Sequence, residues 1–245
     1  MRNINERRTI RKYSAQPVEE SLLNQLLEAA GRTPTMGNLQ LYSVVVTRDA
    51  DMKSRLAPAH FNQPMVTQAP VVLTFCADFR RTTCWAKQRK ADPGYDNFLS
   101  FINAATDALL YCQTFCHLAE AQGLGTCFLG TTVYMPQLII DTLSLPPLVF
   151  PVATITLGWP DEHPPLTDRL PLAAIVHQEH YEDYTPERID AFYTAKENLE
   201  ENRHFVAVNH KETLAQVFTD CRYTRRDNEA MSAGMLEALK KQGFL

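Results

Sequence analysis

No stretch of the 245-residue chain carries the roughly 18 consecutive apolar residues that a membrane span needs. The segment Met1–Thr9 is charged rather than apolar, which does not suit a secretory leader, so a cytoplasmic protein without a membrane anchor is expected. Excess positive charge is also missing. The formal net charge is −4 and Lys and Arg are spread through the chain, so nothing offers a nucleic acid its electrostatic footprint. The six cysteines have no paired short spacing, and a chain this long has no need of disulfide staples. Cys112, Cys116 and His117 do lie close together, but Leu109, Leu110, Phe115 and Leu118 surround them; small core side chains are favoured over a metal site, and no metal is expected. No G-x-G-x-x-G opens a helix after a strand, which argues against a Rossmann nucleotide site. Repeats and low-complexity tracts are absent as well.

What is present is a hydrophobic content of 45%, enough for one sizeable core. Pro17 and the acids Glu19 and Glu20 open a helix striped by Leu22, Leu23, Leu26 and Leu27, which stops at Gly31. Leu41–Thr47 and Pro70–Ala77 read as strands, being β-branched, apolar and bounded by breakers. From Asn97 to Gln122 the spacing of Phe98, Phe101, Ile102, Ala105, Leu109, Cys112, Phe115, Cys116 and Ala119 predicts a long, buried central helix. Thr126–Leu129 is a short strand, Pro136–Leu143 a short amphipathic helix, and Phe150–Leu157 the last clear strand. Helices and strands thus alternate in an α+β sandwich. Four prolines make Trp159–Pro171 an extended excursion, and Pro186–Glu201 and Asp227–Gln242 read as charged carboxy-terminal helices. Two regions are expected: a core over 1–184 and a helical extension over 185–245 that packs on the core or on a partner subunit.

Four constellations carry chemistry. Arg7-Arg8-Thr9-Ile10-Arg11-Lys12-Tyr13 is either a solvated basic arm or a set of guanidinium forks for phosphate oxygens. Thr33-Pro34-Thr35-Met36-Gly37-Asn38-Leu39-Gln40 concentrates turn and amide residues suited to a flat, hydrogen-bonding heterocycle. The glycines of Gly123-Leu124-Gly125-Thr126 and Phe128-Leu129-Gly130-Thr131 end elements or let backbone approach a planar ring. Finally, Leu157-Gly158-Trp159-Pro160 leads to an isolated arginine in Asp168-Arg169-Leu170-Pro171.

In order and spacing, RRTIRKY, PTMGNLQ, GLGTCFLGT and LGWP…DRLP resemble the nitroreductase family, most closely its branch of oxygen-insensitive NADPH nitroreductases and NADPH-flavin oxidoreductases, over about Ile4 to Pro171. The resemblance implies a three-layer α+β sandwich with a central, mostly antiparallel sheet flanked by helices. It implies a homodimer holding FMN at the subunit interface. It also implies an enzyme that takes hydride from NADPH or NADH at flavin N5 and passes it, in ping-pong fashion, to nitroaromatic, quinone or flavin acceptors. By the same resemblance Arg7, Arg8, Thr9 and Arg169 attend the phosphate, and Arg11 faces the ribityl chain and pyrimidine as electrostatic support. Thr35, Met36, Gly37, Asn38 and Gln40 come from the other subunit, Gln63 lies near the ring, and Leu129, Gly130 and Thr131 line its N5 side. No side chain is expected to be catalytic in itself. A specialised or a non-catalytic flavin-binding member of the same fold is the alternative.

Three departures from the family pattern stand out. Met36-Gly37 replaces serines, Thr167 stands where relatives carry a lysine, and Thr131 replaces a second glycine. The loop Cys221-Arg222-Tyr223-Thr224-Arg225-Arg226 is either a solvated positive surface or, through Arg222, Arg225 and Arg226, a receiver for the 2′-phosphate of NADPH.

Overall fold

The computed structural model describes residues 4–245; the first three residues of the expected 1–184 core lie outside the described residues. Helix α1 (Glu20–Ala30) buries Leu23, Leu26 and Ala30 and ends at Gly31 as expected. Strand β1 (Tyr42–Thr47) is followed by two short helices that apolar spacing did not announce, α2 (Ala50–Leu56) and α3 (Pro64–Gln68). Then come β2 (Val71–Asp78), a polar helix α4 (Arg80–Gln88), and the long α5 (Phe98–Ala121). The chain continues through β3 (Gly125–Leu129), α6 (Pro136–Leu143) and β4 (Val149–Gly158).

The four strands form one fully antiparallel sheet in the order β1-β2-β4-β3, with Val44 opposite Phe75 and Phe128 opposite Ile155. Side chains alternate across it. Val71, Leu73, Phe75, Ala153, Ile155 and Leu157 pack on α1 and α5. On the other face, Cys127 and Leu129 meet Leu56, Met65, Val66 and Ile139 of the short helices. With both faces covered, every residue of β2 and β4 is buried, which is why both read as unbroken apolar runs. The result is a three-layer sandwich.

Helix α5 starts where the Asn97 side chain accepts from Ser100 N at 3.0 Å. Its buried stripe runs Phe101, Ala104, Ala108, Tyr111, Cys112, Phe115, Cys116 and Ala119. The expectation that this helix is buried holds for that face only, because the sheet lies on one side of it. Leu99 is 68% exposed, and Ile102, Leu109 and Leu110 each 43%.

Beyond β4 the expected helix over Pro186–Glu201 is two helices, α7 (Pro186–Glu197) and α8 (Glu200–Val208). A single capped turn α9 (Leu214–Gln216), a π-helical turn (Val217–Arg222) and α10 (Arg225–Lys241) complete the chain. Two compact units result: the chain up to Pro165 together with Met231–Leu245, and Leu166–Ala230. A boundary at 184/185 falls inside the second unit. The excursion after Pro165 belongs with the helices that follow it, through Tyr184 Oη donating to Ala174 O at 2.9 Å and Lys196 Nζ 2.8 Å from Asp168 Oδ2. The last residues return to the first core, where Phe244 is fully buried and its ring centroid lies 5.6 Å from that of Phe101. No described helix is long and apolar enough to cross a membrane.

Candidate functional site

The basic arm runs along the open edge of β3. Ile10 N donates to Thr126 O at 3.0 Å, and past it Ser14 N donates to Trp159 O at 2.9 Å and Asp161 N to Lys12 O at 3.0 Å. The arm therefore covers an edge strand that would otherwise expose unpaired backbone groups. Close approach requires Gly125, since a Cβ there would meet Ile10 Cβ at 2.7 Å. Tyr13 locks the far end: its buried hydroxyl donates to Ile10 O at 2.7 Å and shares a 2.6 Å bond with Thr156 Oγ1. Burial raises its pKa, so it remains a neutral donor.

Arg7 and Arg8 line a cavity of about 510 Å³ together with Ile10, His117, Glu120 and Glu162. Arg7 Nε lies 3.2 Å from Glu120 Oε1, and its Nη1 is 3.4 Å from Thr9 Oγ1. Arg8 is committed differently: Nε donates to Pro164 O and Nη1 to Glu6 O, both at 2.8 Å. It ties the arm to the segment after β4. Glu162 does the same from the opposite side, accepting from Arg11 N at 2.5 Å and Lys12 N at 3.0 Å. The Arg11 guanidinium reaches the buried Cys127 thiol. Burial raises that thiol's pKa while Arg11 and Arg7 oppose the rise.

At the other end of β3, Leu129 is buried and Gly130 is exposed, with no atom within 4 Å of where a Cβ would stand. Thr131 follows, and its hydroxyl lies 2.8 Å from Nδ1 of His60. His60 is completely buried and its Nε2 has no partner. Burial pushes its pKa down to about 4, so the ring is neutral. Gln63 is brought to the same place, its N–H donating to His60 O at 3.1 Å.

The loop Thr35–Gln40 is held elsewhere. Buried Asp107 of α5 accepts from Met36 N at 3.0 Å and from Leu41 N at 3.2 Å. Asp107 and Glu120 are 13 residues apart on one helix, so the loop's anchor and the Arg7 partner stand about 20 Å apart. Gly37, Asn38 and Gln40 all have left-handed backbone, with φ of 55°, 55° and 49°. Such backbone is sparsely populated outside glycine. Within one chain this loop and the arginine arm do not meet.

Arg169 lies in the second unit, with Nη1 donating to Thr167 Oγ1 at 2.7 Å and Asp168 O at 2.8 Å. In the same unit Arg222 sits over the rings of Phe205 and Phe218, at 4.3 and 5.4 Å from their centroids. Arg225 and Arg226 occupy the first turn of α10 rather than a loop, and both side chains are 90% exposed beside Glu229 and Asp227.

Glu120, Asp107, Glu162 and His60 belong to no motif of the sequence. Two of them carry a signal nonetheless. Asp107 is a lone acid in an apolar helix stripe, and Glu120 places a negative charge in a helix's last turn, against its dipole.

An antiparallel sheet between two helical layers, with a cationic arm along one edge strand, defines the class as a three-layer α+β sandwich. Residues 4–159 match the nitroreductase family, and the chain belongs to it. It is 31% identical to the FMN reductase [NAD(P)H] of Bacillus subtilis (strain 168) over 251 residues, covering 100% of this chain and 97% of that one. It is 29% identical to the oxygen-insensitive NADPH nitroreductase of Salmonella typhimurium, over 71% of each chain. The crystal structure of a protein from Bacteroides fragilis NCTC 9343 superposes with a TM-score of 0.96 at 60% identity, over 98% of this chain and 97% of that one.

Proposed function

We propose that this protein is an FMN-dependent NAD(P)H oxidoreductase that reduces nitroaromatic, quinone or flavin acceptors and works as a homodimer. The observation that carries this reading is the polarity of one strand edge. Arg7, Thr9 and Arg11 cluster at Thr126 and Cys127, and the open backbone over Gly130 lies four residues further on, about 14 Å along an extended strand. A cationic end and a flat, unobstructed end suit an elongated ligand with an anionic head and a planar tail. FMN fits this donor set: guanidinium forks and a hydroxyl for its phosphate, and room over Gly130 for its ring.

When bound, FMN supplies two-electron hydride chemistry between a nicotinamide and an acceptor. The chain's own residues bind and orient. Arg11 places positive charge beside the ribityl chain and pyrimidine, where negative charge grows on reduction. Arg7 and Thr9 hold the phosphate, with Arg8 fixing their arm. Leu129, Gly130, Thr131 and Gln63 border the ring, and neutral His60 keeps charge away from that edge. Thr35, Met36, Gly37, Asn38 and Gln40, remote from the arm in their own chain, serve the site of a second copy. The apolar stripe of Leu99, Ile102, Leu109 and Leu110 on α5 supports such pairing. Residues 1–184 would then form the flavin-binding core and 185–245 a helical extension that packs on the core, as its last residues do, or on the partner subunit.

Steady-state oxidation of NADPH and NADH by the FMN-loaded protein, with a quinone and a nitroarene as acceptors, tests the reading. Acceptor-dependent turnover with parallel double-reciprocal lines is expected, since donor and acceptor take turns in one pocket. No acceptor-dependent oxidation with either nucleotide would defeat it.

A further inference from the structure

Arg7 is held before any ligand arrives. Glu120 Oε1 lies 3.2 Å from Arg7 Nε and also accepts the Thr126 hydroxyl at 2.6 Å. Thr126 is fully buried on β3, the strand along which the arm is bonded through Ile10. Sheet, helix end and arm are thereby joined through one carboxylate oxygen. With Nε engaged by Glu120, the opposite edge of the guanidinium turns toward Thr9, whose hydroxyl lies 3.4 Å from Nη1.

The placement of Glu120 runs against helix stability. It sits in the last turn of α5, where the helix dipole favours cations, and that turn carries no basic residue. Its worth must come from what it holds. Arginine has a long, rotamer-rich side chain, and ordering it in advance removes that entropy loss from the binding step.

We propose that Glu120 is a positioning residue that pre-orients Arg7 for a phosphomonoester, so that the site selects a phosphorylated flavin over its unphosphorylated counterpart. This rests on the flavin reading above and adds to it the source of phosphate selectivity. Charge and orientation predict opposite signs. A carboxylate near a phosphate repels it, so by charge alone its removal tightens FMN binding. If orientation governs, removal weakens binding.

The test is to titrate apoprotein with FMN and with riboflavin, following the quenching of flavin fluorescence, for the parent, Glu120→Ala, Glu120→Gln, Arg7→Ala and the Arg7→Ala, Glu120→Ala pair. Glu120→Ala is expected to raise the FMN Kd about tenfold, equivalent to about 1.4 kcal/mol, and to leave the riboflavin Kd unchanged. Glu120→Gln, which still accepts from Arg7 and Thr126, should recover most of the loss. In the Arg7→Ala background Glu120→Ala should cost nothing more. Riboflavin binding reports that each variant is folded. FMN affinity that is unchanged or tighter in Glu120→Ala, or losses equal for both flavins, would overturn the inference while leaving the flavin reading intact. A parent that binds neither flavin would overturn both.

Discussion

Replacing Asp107 by asparagine isolates the contact that holds the Thr35–Gln40 loop. The aspartate is 2% exposed, and its two oxygens accept from Met36 N at 3.0 and 3.3 Å and from Leu41 N at 3.2 Å. Asparagine keeps the shape but offers one acceptor, and its amide nitrogen then faces a backbone N–H. With the remaining oxygen toward Leu41 N, the Met36 N–H exchanges its 3.0 Å bond for a donor–donor contact and keeps only the 3.3 Å one, so it approaches an unsatisfied donor. An unsatisfied buried donor costs about 1–3 kcal/mol. For a chain of this size each kcal/mol lowers Tm by about 2–4 °C, so a middle value of about 2 kcal/mol predicts a fall of about 4–8 °C. Asp107→Ala strands both donors and should fall further. The assay is thermal unfolding followed by circular dichroism, with hydrogen exchange at the Met36 and Leu41 amides. Three left-handed residues in this loop need the anchor to persist, so FMN affinity should drop with it. A Tm within about 1 °C of the parent, with both amides still protected, would refute the reasoning.

Gly130→Ala should leave apoprotein stability unchanged, because its Cβ meets nothing, yet weaken FMN by crowding the ring; equal FMN affinity would move the ring elsewhere. His60 is held neutral by burial with its pKa pushed down to about 4, below the ordinary 6.5, so its contribution to stability is complete above pH 6.5 and is lost as pH falls toward 4. The difference is about 3 kcal/mol, and His60→Asn should flatten that part of the stability–pH curve measured by urea unfolding. Arg222→Ala, Arg225→Ala, Arg226→Ala together should lower kcat/KM for NADPH and spare NADH; equal losses would return all three arginines to a surface role.

Elements whose apolar residues repeat at one period are legible in the amino-acid sequence alone. Strand β4 and helices α5 and α6 lie within a residue or so of their expected limits. Helix α4 is not legible, because Arg80–Gln88 is polar and short of apolar spacing, and α2 and α3 are too short to establish a period. The arginine arm and the Gly130 strand end are visible as local composition. His60 is not, since it acts on a residue 71 positions away in the chain and a lone histidine carries no sign of its partner; Asp107 stands out as an acid in an apolar stripe, but nothing in the sequence points from it to Met36.

FMN dependence is tested most directly by the identity of the bound group. The visible spectrum of the purified protein, followed by chromatography of whatever denaturation releases, reads that identity without assuming a substrate. The visible absorption bands of an oxidised flavin, with intact FMN released on denaturation, are predicted. A colourless protein that does not take up added FMN would contradict the account.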